Sequence, residues 1–203
     1  TAEEENVEYR DWQLIRFKKV MTMTDKVLPD IKYYHIANSA AVLTCPESHF
    51  NMVRPGISLY GITPFTKPNK HLLPVMRMQA PIVLIKRFKQ GEVVGYNRKY
   101  MTEENERIAI IQAGYADGIP MELFNGGEVE IEGAIHPIVG KVSMDLVTIR
   151  CSDLKIKTGQ EAIFWGSDDM KLRLETLAEK YDKIPYEFLT GVTKRVKRNY
   201  IHG

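Results

Sequence analysis

Met52-Val53-Arg54-Pro55-Gly56-Ile57-Ser58-Leu59-Tyr60-Gly61 reads as a short apolar strand that stops at a cation and a flexible glycine. Glycine takes backbone conformations that other residues avoid, so it marks the place where a strand gives way to a loop. The same arrangement occurs upstream, where the apolar and aromatic run Tyr33 to Ala37 ends at Asn38-Ser39. Ahead of both, Leu14, Phe17 and Met21 fall at helical spacing, which predicts a helix over about residues 3 to 26 with one apolar face. Thr1 is placed to cap that helix, and Glu3, Glu4 and Glu5 to complement the positive end of its dipole. Residues 1–66 therefore read as αβαβα.

Beyond this point the pattern changes. Pro64, Pro68 and Pro74, with Thr63, Thr66 and Asn69 among them, have linker composition, and a boundary is expected across 67–74. Residues 75–203 then carry short strand signals: Ile82 to Ile85, Val93-Val94, Ile108 to Ile111, Val129 and Ile131, Ile135 to Val139, Val142 to Ile149, and Ala162 to Trp165. One helix interrupts them, with Leu174, Leu177, Ala178 and Tyr181 on one face and Ser167, Asp168 and Asp169 upstream as capping candidates. The fold class is thus α/β followed by a mostly β domain.

Composition excludes several function classes. The 203 residues carry 28 Lys plus Arg against 26 Asp plus Glu, a formal charge of +2, so no global field steers nucleic acid or an anionic membrane. No apolar run reaches the roughly 18 to 20 residues needed to cross a bilayer, and Thr1-Ala2-Glu3-Glu4-Glu5 does not resemble a signal peptide. Cys45 and Cys151 are too few for a disulfide framework and read as free thiols of a reducing, cytoplasmic compartment. The start lacks Met and opens directly onto a helix pattern, from which a fragment is expected.

Standard motifs return little. There is no G-x-G-x-x-G, and Gly133 to Lys141 is too long for a phosphate-binding P-loop and is followed by Val142, where Ser or Thr would hold magnesium. Gly56 to Gly61 is one residue too long for a nucleophile elbow. His35, His49, His71, His136 and His202 form no metal-ligand spacing, so no metal site is expected. Lys194, Arg195, Lys197 and Arg198 form a basic tail that reads as a solvated strand.

Taken together, His35-Ile36-Ala37-Asn38-Ser39-Ala40-Ala41, Met52 to Gly61 and Gly114-Tyr115-Ala116-Asp117-Gly118 are more specific. In order and spacing they resemble the later part of the pyridoxal-phosphate-dependent alanine racemases, and Gly140-Lys141-Val142-Ser143-Met144-Asp145 is similar to a further segment of that family with two substitutions. The resemblance spans essentially the whole chain. It implies the last turns of a (β/α)8 barrel up to about residue 66, then a C-terminal β domain. It also implies pyridoxal 5'-phosphate as cofactor and a cofactor lysine in the earlier barrel half, so that the chain alone is expected to be inactive.

Racemising an amino acid requires removing a weakly acidic α-proton and returning one to the other face, which a cofactor imine makes feasible by delocalising the charge. One base is needed on each face. The resemblance assigns one of them to Tyr115, whose bland alternative is a packed aromatic after the Ile108 to Ile111 strand. It places Arg54, otherwise a surface cation at a strand end, against the pyridine nitrogen with His35 behind it, and sets Asn38, Ser39, Gly56 and Ile57, in isolation ordinary turn formers, at the strand ends where barrel loops build phosphate cradles. Met144 and Asp145 match residues that, like Tyr115, reach across a head-to-tail homodimer into the other subunit's site; for Met144, core packing in the β domain is the alternative.

One position departs from the pattern in a way that bears on substrate. Counting on from Pro185-Tyr186-Glu187-Phe188-Leu189, the family's phosphate-binding tyrosine falls on Lys194, a flexible point charge in place of a rigid phenol. Met121 and Ser143 also replace the family's frequent residues, away from the proton transfer. The expected function is racemisation of alanine, supplying D-alanine for peptidoglycan. Racemisation of serine, as in vancomycin resistance, is one alternative, and a non-catalytic β module for dimerisation or binding is the other.

Overall fold

The protein is described by a computed structural model over residues 7–152 and 154–201. It forms two compact units, Thr1–Val75 and Met76–Gly203.

In the first unit a long helix α1 (Glu8–Val27) is followed by a six-residue helix α2 (Ser39–Thr44). The proposed cap at Thr1 and the acidic residues Glu3, Glu4 and Glu5 lie outside the described residues. α1 buries no residue completely; Leu14 leans on the small cluster Ala37, Ala41 and Cys45, and the Phe17 and Phe50 rings lie 5.3 Å apart. The segments read as strands, Tyr33 to Ala37 and Met52-Val53, are not strands here. They run side by side with one direct backbone bond, Arg54 N–H to Ala37 O at 2.9 Å. Asn51 supplies the rest: its Oδ1 accepts from Tyr34 N (2.8 Å) and its Nδ2 donates to Lys32 O (2.8 Å). Parallel segments this short gain few ladder bonds, and a side-chain amide, which mimics a peptide group, takes over two of them.

The second unit is β-rich. Its strands are β1 (Met78–Phe88), β2 (Val93–Val94), β3 (Tyr100–Met101), β4 (Glu106–Ile111), β5 (Glu128–Ile131), β6 (Ala134–Pro137), β7 (Val147–Arg150) and β8 (Glu161–Trp165). Six form one antiparallel sheet in the order β6-β5-β8-β1-β4-β7, and β2 pairs with β3. The two edges almost meet, because Ile138, just past β6, bridges to Ile149 of β7 and Val139 N donates to Thr148 O at 2.9 Å. Near-closure leaves little unpaired edge exposed. β1 is long because it serves two neighbours: Met78 to Pro81 pair with β8, and Ile82 to Phe88 pair with β4 past a register shift.

Inside lie Ile108, Ile111, Val129, Ile131, Ile149, Phe164 and Trp165, all essentially inaccessible. Two helices close one side, α3 (Leu174–Lys180) and α4 (Pro185–Gly191), and the Phe188 ring meets Trp165 edge-on at 5.7 Å. Three expectations need correction. The strand read over Val142 to Ile149 begins only at Val147, since Ser143 to Leu146 form a turn in which Ser143 N donates to Leu146 O (3.0 Å) and Ser143 Oγ accepts from Leu146 N (3.1 Å). Asp169 caps a 3-10 turn at Met170–Leu172, whereas Arg173 stands at the N-cap of α3. α4 is a second helix where one was expected.

Candidate active site

The sequence-derived residues fall into two groups, one in each unit. In the first unit Asn38 caps α2 by accepting the Ala41 N–H at 3.0 Å, which fixes Ser39 at the helix start. Ser39 is buried, and its hydroxyl oxygen accepts the backbone N–H of Gly56 (2.8 Å) and of Ser58 (3.3 Å). Ile57 is buried beside them at the first position of a 3-10 turn, where a backbone N–H has no partner within the turn. The Ser58 hydroxyl and the His35 Nδ1 are buried with no hydrogen-bond partner among the described residues. Arg54 is exposed and donates to Ile36 O at 3.3 Å; no hydrogen bond joins it to His35. A hollow of about 300 Å³ is lined by Arg54, Asn38, Arg10 and Cys45, among others.

In the second unit Tyr115 opens a 3-10 turn (Tyr115–Asp117) directly after β4, and its ring is 42% exposed, so it is not the packed aromatic that the bland reading required. That turn is laid against the Ser143 to Leu146 turn by two backbone bonds, Tyr115 N–H to Ser143 O and Ala116 N–H to Met144 O, each 3.0 Å. The approach requires glycine at position 114, because a Cβ there would lie 2.3 Å from the Ser143 and Met144 carbonyl oxygens. Gly118, at φ +104, similarly lets the chain pass against Gly191. Met144 is 51% exposed, which removes core packing as its role in this unit.

Sequence reading missed two members of this group. Asp117 Oδ2 accepts the Gly114 N–H at 2.9 Å, while its Oδ1 meets Arg195 Nε at 3.3 Å. Arg195 also reaches Asp145 Oδ1 with Nη2 at 2.6 Å, and the two carboxylates, Asp145 first, hold its guanidinium more firmly protonated than usual. Asp117 was visible as the polar residue of Gly114 to Gly118; Arg195 was hidden in a run of basic residues. Lys194 is exposed and makes no hydrogen bond or ion pair with any described residue.

Comparison with known proteins bears on both units. Residues 75–200 match the family described as "Alanine racemase, C-terminal domain" and residues 1–64 match "Alanine racemase, N-terminal domain". The alanine racemase of Vesicomyosocius okutanii subsp. Calyptogena okutanii is 44% identical over 195 residues, covering 96% of this chain and 53% of that protein. That of Clostridium novyi is 39% identical over 207 residues, covering 99% and 54%. Among solved structures, alanine racemase from Clostridium difficile 630 in complex with cycloserine matches with TM-score 0.89 and 34% identity over 97% of this chain and 52% of that one. The Bartonella henselae alanine racemase with covalently bound pyridoxal phosphate matches with TM-score 0.83 and 33% identity over 99% and 54%. The chain thus spans about half the length of the relatives it matches. With the last part of a barrel followed by a mostly β domain, and with both of its units matched, the chain belongs to the alanine racemase family.

Proposed function

We propose that this chain furnishes the Tyr115, Arg54 and phosphate-cradle side of an active site that interconverts L- and D-alanine with pyridoxal 5'-phosphate. The observation that carries the reading is the pair of constellations built around Ser39 and Tyr115 in a chain whose relatives are alanine racemases. The residues fit the cofactor. Ser39 Oγ already accepts two N–H groups and keeps its own proton to donate, and the hydroxyl of Ser58, whose N–H is one of those two, is buried without a partner among the described residues, so an acceptor-rich phosphate answers both. The Ser39 hydroxyl and the Ile57 N–H would hold the phosphate, Gly56 would let it approach the backbone while its own N–H stays on Ser39 Oγ, and Asn38 would keep that corner in place through its cap on α2.

Pyridoxal phosphate, when bound, supplies the electron sink that makes the α-hydrogen removable. Arg54 keeps its proton at any accessible pH and would donate to the ring nitrogen without protonating it. His35 would stand behind it. Tyr115 would take a proton from Cα on one face, or deliver one to that face in the reverse direction, and the second base, a lysine serving the opposite face, would come from the half of the relatives' length that this chain does not span. Met144 and Asp145 would border the substrate, with Lys194 beside the phosphate. Two copies in head-to-tail arrangement would share their sites. Two buried free thiols, Cys45 and Cys151, support a reducing, cytoplasmic setting, where D-alanine would feed peptidoglycan.

The test is to prepare the complete polypeptide that contains these residues, add pyridoxal phosphate and follow D-alanine formed from L-alanine. A yellow protein that racemises alanine, and whose Tyr115→Phe variant loses on the order of 10²–10⁴-fold in rate, supports the proposal. A protein that takes up no cofactor and leaves alanine unchanged overturns it and leaves the binding-module reading standing.

A further inference from the structure

We infer that Arg195 is a positioning residue that fixes the Tyr115 turn and the Met144-Asp145 turn against each other, a role that rests on the racemase reading above. Three stretches far apart in sequence meet here. The Tyr115 turn and the Ser143 to Leu146 turn share only two backbone bonds, from Tyr115 N and Ala116 N. The third stretch crosses behind them: Thr193 Oγ1 donates to Ala116 O at 2.8 Å, and Thr193 N donates to Asp117 O at 3.3 Å. Arg195 therefore springs from a backbone already pinned to the Tyr115 turn.

Its guanidinium adds a side-chain bridge between the same two turns. Nε meets Asp117 Oδ1 on one turn and Nη2 meets Asp145 Oδ1 on the other, at 3.3 and 2.6 Å. Asp117 passes the constraint inward, because its second oxygen accepts the Gly114 N–H immediately before Tyr115. A lone exposed ion pair is worth little. This one closes a ring through three segments, and the fork spans two carboxylates, which a point-charge ammonium cannot do. Among the described residues, the Asp145 carboxylate has no other hydrogen bond or ion pair. Without the cation, two carboxylates would be left facing each other, and the Met144-Asp145 turn would be released on that side. The phenol of Tyr115 would lose its definition relative to that turn while the sheet stayed intact. Arg195, Asp117 and Asp145 also line one cavity of about 430 Å³, so the constraint lies at the rim of an open space.

The experiment uses the complete protein with cofactor and compares the parent with Arg195→Ala, Arg195→Lys, Asp145→Asn and the Arg195→Ala/Asp145→Asn pair. Misplacing a base by about 1 Å costs on the order of 100-fold, so kcat for Arg195→Ala should fall by about that factor with KM little changed. With α-deuterated alanine, the isotope effect should rise for the enantiomer that Tyr115 deprotonates and stay constant for the other. Arg195→Lys should regain part of the loss, and the Arg195→Ala defect should shrink on the Asp145→Asn background. Activity equal to the parent, or a loss that leaves both isotope effects unchanged, overturns the inference. Amide exchange reads the tether without activity: Tyr115 and Ala116 should exchange faster in Arg195→Ala, with the β5–β6 hairpin unchanged. Unaltered exchange at Tyr115 overturns the tether even where the parent racemises alanine, whereas an inactive, colourless parent overturns the racemase reading itself.

Discussion

The Ser39 hydroxyl accepts the Gly56 N–H at 2.8 Å, tying the start of α2 to the corner that follows Arg54. This bond does locally what a strand ladder would do in a longer sheet. The segments on either side share a single backbone bond, so the corner is held by side chains, Ser39 and Asn51, and by the cap at Asn38. A site built this way is sensitive to one hydroxyl.

Ser39→Ala should therefore cost about 1–3 kcal/mol, because the buried N–H groups of Gly56 and Ser58 lose their acceptor. It should also weaken pyridoxal phosphate binding in the complete protein. Thermal melts and cofactor titration measure the two effects. A variant that melts and binds as the parent does would show that Ser39 is not part of the cradle.

How much of this was legible depended on whether periodicity or contact decided the outcome. Ile108 to Ile111, Val129 with Ile131, and Ala162 to Trp165 are strands as read, because buried alternation or an apolar run is a property of the segment itself. Tyr33 to Ala37 has the same composition yet no ladder, since a ladder is a property of neighbours. α4 escaped notice because it is seven residues long and buries only Phe188, too little for a helical period to register. The Ser143 to Leu146 turn broke an expected strand because its carbonyls are engaged by Tyr115 and Ala116, a contact that local sequence does not encode. At the candidate site, Tyr115 and Ser39 stood out only as parts of motifs. Arg195 went unread because a run of basic residues looks solvated until its two carboxylate partners, 50 and 78 positions away, are placed beside it.

Gly114→Ala should separate packing from strain. The added Cβ would lie 2.3 Å from two backbone carbonyl oxygens, so the Tyr115 turn must shift, with an expected loss of roughly 2–3 kcal/mol and most of the racemase activity of the complete protein. Gly133→Ala meets nothing within 4 Å and carries only the strain of φ +79, about 1–2 kcal/mol, with activity retained. Chemical denaturation and turnover of the two variants make the comparison; equal activities would mean that the 114–143 approach does not position Tyr115.

Alkaline pH should act through Tyr100. Burial first, and then the hydrogen bond to Glu106 (2.6 Å), push its phenol up to about 12 from the ordinary 10. A group whose folded pKa is raised stabilises the fold fully below its unfolded pKa, near 10, and that contribution disappears as the pH rises through about 12. Tyr100→Phe should lose about 1 kcal/mol near neutral pH, show a shallower fall in stability between about pH 10 and 12, and remove one late-ionising phenol from the ultraviolet titration. Tyr181, also pushed up to about 12 by burial and then by Glu128, stays as the internal reference. An ultraviolet titration unchanged by Tyr100→Phe above pH 10 would contradict the assignment.

Lys194 is the position at which the alanine and serine proposals part. Its side chain is exposed and unpaired among the described residues, while its neighbours Thr193 and Arg195 are both tied to the Tyr115 turn, so position 194 can change chemistry without disturbing the backbone. A tyrosine there would bring a rigid phenol with one donor toward the phosphate, at the cost of a charge but with less conformational freedom to lose. In the complete protein, Lys194→Tyr should narrow the pocket and raise the ratio of alanine to serine turnover by about 10-fold, the scale on which small steric differences discriminate. The fold should be unaffected. Turnover ratios for L-alanine and L-serine in parent and variant are the measurement. A parent that already ignores serine removes the serine alternative, and an unchanged ratio in the variant would mean that residue 194 does not face the substrate.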